Sequence, residues 1–300
     1  MKGKIVLTLL LVTLFVTVTV TAQENSLAAD NAEVITEGFQ FTEGPYWHAD
    51  GYLLFSDIPA NTIYKWTPGS EDSEVYIKPS GHSNGITETA EGHLLLVQHD
   101  GLVSKVNDEK ELVTLADSYK GQRLNSPNDV TVASNGTIYF TDPPFGVSDE
   151  DKELAFSGVY KLVEGEEPEL LFDGFDTPNG VVLNREESKI YVNNTSSGDI
   201  MVFERAADGT FEDGEQFANV GASSDTGAAD GMVVDEEGRV YSTGPGGIFI
   251  FSSDGNQVEK IDLPARATNM EWGGNDFATL FITTPSAVYR LPMNVKGVKK

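Results

Sequence analysis

No cysteine occurs anywhere in the 300 residues, which excludes disulfides, thiolate zinc sites and lipid attachment through a thiol. Histidine is nearly as scarce: His48, His82, His93 and His99 are scattered along the chain, so no Cys/His metal spacing exists. The first three sit in or beside turns and are assigned no chemistry. Basic residues number 20 against 47 acidic ones, a formal net charge of −27. That balance argues against nucleic acid or an anionic membrane as a partner. The acids gather in turn-like stretches such as Glu71-Asp72, Asp149–Asp151, Glu164–Glu167 and Glu186-Glu187, as solvated loops do. Helix-period stretches of useful length are also missing outside the N-terminus.

The one long apolar run is Ile5–Val20, preceded by Lys2 and Lys4 and followed by Thr21-Ala22. This reads as a secretory signal over residues 1–22, with an uncleaved anchor as the alternative because the run is marginal for a membrane span. The expectation is an exported protein, periplasmic or secreted, with no membrane contact beyond that segment. Without residues 1–22, which carry two lysines and no acid, 18 basic side chains face 47 acidic ones and the formal charge is −29. Residues 23–33 read as a flexible lead-in, and residues 34–300 as one domain.

What is present is a repeat. Six times a polar residue opens a short apolar strand: Glu43, Asn84, Asn128, Asn179, Asp230 and Asn269, spaced by 41, 44, 51, 51 and 39 residues. A second strand begins ten or eleven positions later (LLFSD, LLLVQH, IYFTD, IYVNN, VYSTG, LFITT), and a third follows (IYKW, VSKV, VYKL, IMVF, IFIF, VYRL). That period is the period of a β-propeller blade. The fold class is therefore all-β, a six-bladed propeller. The sixth repeat ends near Gly297, short of an outer strand, so the alternating segment Val34–Phe41 is expected to complete the last blade and close the ring. Longer insertions between Asp142 and Ser157 and between Phe203 and Ala229 are expected as surface loops, the first a candidate lid or specificity wall.

First strands line the channel of a propeller, so the six openers fall on one ring near one mouth. The residues ending the second strands, Asp57, His99, Asp142, Asn194 and Thr243, are expected around that mouth. Two carboxylates and four carboxamides form an all-oxygen nest that suits Ca²⁺, with Mg²⁺ or Mn²⁺ as alternatives. Two carboxylates near one axis repel unless a cation or proton intervenes. Glu43, Asn128, Asn179 and Asp230 are the candidate metal ligands. Glycine follows the opener at Gly44, Gly85, Gly180 and Gly231, permitting close backbone approach. Asp129 breaks that pattern; in a strand its side chain points away from that of Asn128, so it braces the site or acts as a base. His99 at the mouth is placed to contact substrate or move protons. Arg123, five residues before Asn128, either makes a surface ion pair or orients substrate.

EGPYW, SNGI, GQRLNSPNDV, IYFTDPPFG, GVYKL, PNGVVL and DGMVVDEEG together resemble the gluconolactonase branch of the regucalcin/gluconolactonase-like family, from about Phe41 to Leu291. The resemblance implies a propeller that holds one divalent metal, often calcium, and hydrolyses sugar lactones. It implies that Glu43, Asn179 and Asp230 are metal ligands, and that Asn128 serves metal or substrate. The animal branch places an arginine two residues before that Asn; Ser126 stands here, and Arg123 is the candidate substitute. In the mechanism so implied, the metal polarises the lactone carbonyl and stabilises the oxyanion formed on attack. Asp230, Asp129 or His99 deprotonates a water, and Asn84, Asn128 and Arg123 hold ring hydroxyls. Asn269, followed by methionine, matches no ligand and is read as structural. The expected partner is a small lactone, and the protein a monomer or weak oligomer. Rival readings are an arylesterase-like or phosphotriesterase-like hydrolase on the same fold, and a non-catalytic binding propeller with YWTD-like repeats, to which FSD and FTD lend support.

Overall fold

A computed structural model describes residues 26–299, and the expected signal segment lies outside them. Among the described residues there is no helix; six four-stranded antiparallel sheets and one two-stranded hairpin account for all strands. The first blade runs Thr42–His48, Tyr52–Asp57, Thr62–Trp66, Glu74–Ile77 in spatial order, and the next four repeat that meander. In the sixth, Met270–Gly273, Thr279–Thr283 and Ala287–Pro292 are completed by the N-terminal strand Glu33–Glu37, which pairs antiparallel with Ala287–Pro292. The ring is thus closed by the segment expected to close it. Within the lead-in, residues 26–32 are held: Leu27 N donates to Glu259 Oε2 at 2.8 Å, and Asn294 N donates to Leu27 O at 2.8 Å.

Six apolar clusters form the core, one at each interface between neighbouring blades. Leu54 and Ile63 of the first blade meet Ile86, Leu94 and Leu96 of the second; Trp47 and Phe55 of the first meet Phe281 and Val288 of the sixth. Each sheet is apolar on both faces because both faces touch a neighbouring sheet, which is why the second strands read as continuous apolar runs. The outer strands are free edges, and they carry acids such as Glu33, Glu74, Glu169, Glu212 and Glu259. Such charges discourage edge-to-edge pairing.

The second insertion is not loop throughout. Phe211–Asn219 is a nine-residue outer strand paired with Asp199–Arg205. Its strand pattern is masked in FEDGEQFAN because an edge strand needs apolar residues on neither face. The first insertion, Pro143 to Phe156, is irregular, and ahead of it Ser118-Tyr119 and Gln122-Arg123 form an extra hairpin.

The openers occupy interruptions in the ladder. In three blades the register shifts between Glu43 and Tyr46, Ser83 and Ile86, and Pro178 and Val181. In the other three the inner strand begins only after the opener, at Val130, Met232 and Met270. A bulge of this kind re-aims side chains toward a site. Gly44 takes a left-handed φ of 48° there, and a Cβ on it would collide with the Asn84 carbonyl. Gly180 lies equally close to the next opener, where a Cβ would collide with Asp230 O and stand 3.0 Å from Asn193 Nδ2. Gly180→Ala should therefore cost about 1–3 kcal/mol through overpacking. A urea unfolding midpoint equal to that of the parent protein would refute this close-packing account.

Candidate active site

Register brings all six opener side chains together, and all six are buried. Three carboxamides bond in one direction around the ring. Asn84 Nδ2 donates to Asn128 Oδ1, Asn128 Nδ2 donates to Asn179 Oδ1 at 2.6 Å, and Asn179 Nδ2 donates to Thr195 Oγ1 at 2.9 Å. Asn84 Oδ1, at the head of this chain, is buried without a partner. The two carboxylates complete the ring: Asn179 lies near enough to Asp230, and Asn269 near enough to Glu43, to favour their charged forms. Asn269 besides accepts from Met270 N at 2.8 Å, tying its own strand start.

Burial and the nearby Asp230 charge push the Glu43 carboxyl well above the usual range. Burial pushes Asp230 up to about 7, against the opposing pull of the Arg266 guanidinium and of Asn179. Two buried acids that resist ionisation beside an unpartnered amide oxygen have the donor chemistry of a hard divalent cation site. Among the described residues no three His, Asp or Glu side chains cluster; the oxygens come from mixed carboxylates and carboxamides, with Glu43, Asn128, Asn179 and Asp230 able to hold such an ion.

His99 is packed against the ring. Its Nε2 lies 3.3 Å from both Asn84 Nδ2 and Asn128 Oδ1, and burial holds its pKa below the ordinary imidazole range. The loop after Asp142 packs directly on His99: a Cβ on Gly146 would sit 2.5 Å from His99 Cβ and 2.8 Å from Cγ. Ser126 fixes that loop, donating from Oγ to Pro143 O at 2.5 Å and accepting from Gly146 N at 2.9 Å.

Asp129 does not behave as a strand residue, because the strand starts at Val130. Its carboxylate lines the channel below the ring and accepts from Val181 N at 2.9 Å, fastening the next blade. The space it lines is a cavity of about 30 Å³, enough for a water and too small for a sugar lactone. Arg123 does not join the site: Nη1 donates to Leu124 O and Asn125 O at 2.6 Å each, and Nη2 donates to His99 O at 3.4 Å. The other second-strand ends also turn to backbone. Asp57 accepts from Gln40 N and Phe41 N at 3.1 Å, Asp142 from Asn125 N at 2.8 Å and Asn194 from Thr177 N at 3.2 Å, while Thr243 Oγ1 donates to Ala228 O at 3.1 Å. Each pins the segment entering its own blade's opener. Thr195, Ser126 and Arg266 were not singled out as functional from sequence. Arg266 precedes Asn269 by three residues, much as Arg123 precedes Asn128 by five, and that parallel was the available signal.

The chain belongs to the SMP-30/Gluconolactonase/LRE-like family, whose pattern it matches over residues 41–286. A gluconolactonase of Zymomonas mobilis is 34% identical over 292 residues, covering 88% of this chain and 82% of the relative. A solved gluconolactonase structure from Xanthomonas campestris is similar with a TM-score of 0.78 at 30% identity, covering 87% of this chain and 89% of that one. A calcium-binding regucalcin from Agrobacterium tumefaciens shares the fold with a TM-score of 0.73 at 19% identity, covering 87% and 92%. The family is one of gluconolactonase-like hydrolases.

The raised carboxyls set a pH dependence. Without a cation, Glu43 and Asp230 keep protons in the folded state that the unfolded chain releases near pH 4. At these two groups the folded state binds more protons, so their contribution to stability is full below about pH 4 and is lost as pH rises toward 7. Buried Asp142, pushed up to about 7, adds in the same sense. Chelator-treated protein should lose thermal midpoint between pH 4.5 and 7.5, and millimolar calcium should restore it more at pH 7.5 than at pH 4.5. Asp230→Asn should shrink that difference. An equal calcium effect at both pH values would contradict the ring assignment.

Proposed function

We propose that the protein is a divalent-cation-dependent lactonase opening the ester bond of sugar lactones, with calcium the preferred ion and magnesium or manganese alternatives. The observation that carries this reading is the convergence of two buried, mutually repelling carboxylates with buried carboxamides at one channel mouth. Kinship with the Zymomonas gluconolactonase supports the reaction, and the fold shared with a calcium-binding regucalcin supports the ion.

Held by Glu43, Asn128, Asn179 and Asp230, the cation would polarise the acyl carbonyl and offset oxyanion charge. The remaining work falls to the chain. Asn84 and Asn128 present carboxamides to ring hydroxyls and fix the lactone over the ring. His99, kept neutral by burial, accepts a proton at Nε2 from the attacking water. The water oxygen bonds to the acyl carbon, the bond from that carbon to the ring oxygen breaks, and its electron pair stays on the ring oxygen. The proton held by His99 passes to that oxygen, giving the open hydroxy acid. Asp129, fastened to Val181, keeps the fourth blade in register beneath. The basic and apolar N-terminus, residues 1–22, supports export to the periplasm or medium.

A panel of sugar lactones, aryl esters and phosphotriesters, each with and without chelator, tests the reading. Lactone turnover that vanishes with chelator and returns with calcium is expected. Glu43→Gln and Asp230→Asn should lower kcat/KM by about 10²-fold or more, together with bound metal, and His99→Gln should lower kcat by about 10²–10⁴-fold. Absence of lactone turnover with every divalent ion would overturn the proposal.

A further inference from the structure

The chain has six arginines, and five are committed. Arg123 holds three backbone carbonyls, Arg185 donates to Glu236 O, Arg205 to Tyr139 Oη, Arg239 to Asp235 Oδ2, and Arg290 to Glu33 Oε2. Arg266 is the exception. It is half-buried, its Nε is buried without a partner, and its guanidinium makes no hydrogen bond or ion pair among the described residues.

Its place in the fold is informative. The outer strand Gln257–Asp262 returns to the mouth end of the fifth blade, and the chain then crosses to the sixth opener, Asn269, through Arg266. Leu263 N donates to Gly246 O at 3.2 Å and Thr268 N to Thr283 O at 2.9 Å, so both ends of this crossing are anchored at the mouth. The guanidinium is close enough to favour the charged form of Asp230, yet is not paired with it. Asp230 belongs to the fifth blade, whereas Asn84, Asn128 and His99 belong to the second and third, across the ring. His99 and the crossing that carries Arg266 therefore lie on opposite arcs of the ring.

We propose that Arg266 grips the acyl end of the substrate, donating to the lactone's ester oxygens and then to the carboxylate of the aldonate product. The proposal rests on the lactonase reading and deepens it. A planar fork with unfilled donors matches two oxygens on one carbon, and a desolvated guanidinium binds a carboxylate more strongly than an exposed one. The other polar side chains beside the third opener are occupied: the Ser126 hydroxyl is committed to Pro143 and Gly146, and the neighbouring Arg123 is committed to carbonyls. The arginine left for substrate enters from the sixth blade.

The test uses full-length mature protein loaded with calcium, glucono-1,5-lactone as substrate and sodium gluconate as inhibitor. Arg266→Ala should raise KM about 10–100-fold and weaken gluconate inhibition by a similar factor, with a smaller change in kcat. Arg266→Lys, which keeps charge without the fork, should recover part of both losses, and Arg266→Gln should recover less; these two also serve if the alanine variant does not fold. Calcium affinity measured by calorimetry should hold or tighten, since a positive neighbour of Asp230 is removed. Unchanged KM and gluconate inhibition, or calcium loss accompanying the activity loss, would overturn this assignment. Wild-type protein inert toward every lactone would instead sink the lactonase reading itself, and the assignment with it.

Discussion

The site depends on a circle of short-range bonds that hold each blade's strand opening to the blade before it. Ser56 Oγ donates to Asn84 O at 2.8 Å, Gly85 N to Asn128 O at 2.9 Å, Thr141 Oγ1 to Asn179 O at 2.7 Å, and Asn193 Nδ2 to Asp230 O at 2.7 Å. The last two steps shift back by one residue: Gly231 N donates to Thr268 O at 2.9 Å and Thr268 Oγ1 to Thr42 O at 2.7 Å. Because the ladder is interrupted at the openers, the carbonyls of Asn84, Asn128, Asn179 and Asp230 lack a ladder partner in their own blade. The neighbouring blade supplies that partner. Backbone satisfaction and side-chain aim are thereby set together, and six side chains that no single sheet could orient are fixed on one ring.

That fixation is what allows two carboxylates to be buried near each other. Buried like charges are strongly unfavourable, and in a loose site the chain would relax by turning one outward to water. Here Glu43 and Asp230 are followed by Gly44 and Gly231, which lie against the next blade with no room for a Cβ, so the backbone carrying each carboxylate is held close to its neighbour. The fold energy of the whole propeller thus maintains an electrostatic arrangement that is unfavourable locally. Such a conflict between local and global preference is the mark of a functional site. The conflict is resolved only by a proton or a cation. This explains why the ring chemistry is acid and amide oxygen throughout, without histidine among the six.

How much of this was legible in the residues depended on whether it left a periodic trace. The blade count, the closing N-terminal strand and the six ring positions repeat every 39 to 51 residues, so each copy reinforced the others. FSD and FTD were legible as a repeat but not as to purpose. The structure gives each residue its part: Ser56 and Thr141 reach the next blade's opener, and Asp57 and Asp142 pin the segment entering their own. Asp129 was legible as a brace, and it does accept from Val181 N, although the strand on which that reading leaned begins only at Val130. Phe211–Asn219 hid as a strand because its pairing partner on one side is water. Arg123 and Arg266 look alike in sequence, each a short distance before an opener. Only the carbonyls surrounding one and the vacant donors of the other separate them, and those depend on contacts between residues distant in the chain.

The charge balance of the whole molecule bears on the reaction in two opposed ways. A chain carrying a formal −27 repels an anionic product and, at low ionic strength, speeds its departure, while a neutral lactone approaches without penalty. On the lactonase reading, ring opening converts one into the other, so the surface field hastens departure of the product. The same field would keep an anion from ever being held long enough to be formed in a defined pose, unless a local positive group acts over a shorter range than the surface acids. On the proposed reading, a cation held in the ring would supply one such group. On the reading given to Arg266, its guanidinium supplies another at the opposite end of the acyl unit. Both act across a few ångströms of low-dielectric site, where attraction is strong, and both fade within a Debye length, beyond which the acidic surface dominates. Strong local attraction inside a repulsive outer field permits tight transition-state contact without slow product release, and it gives the excess of acid a role besides solubility.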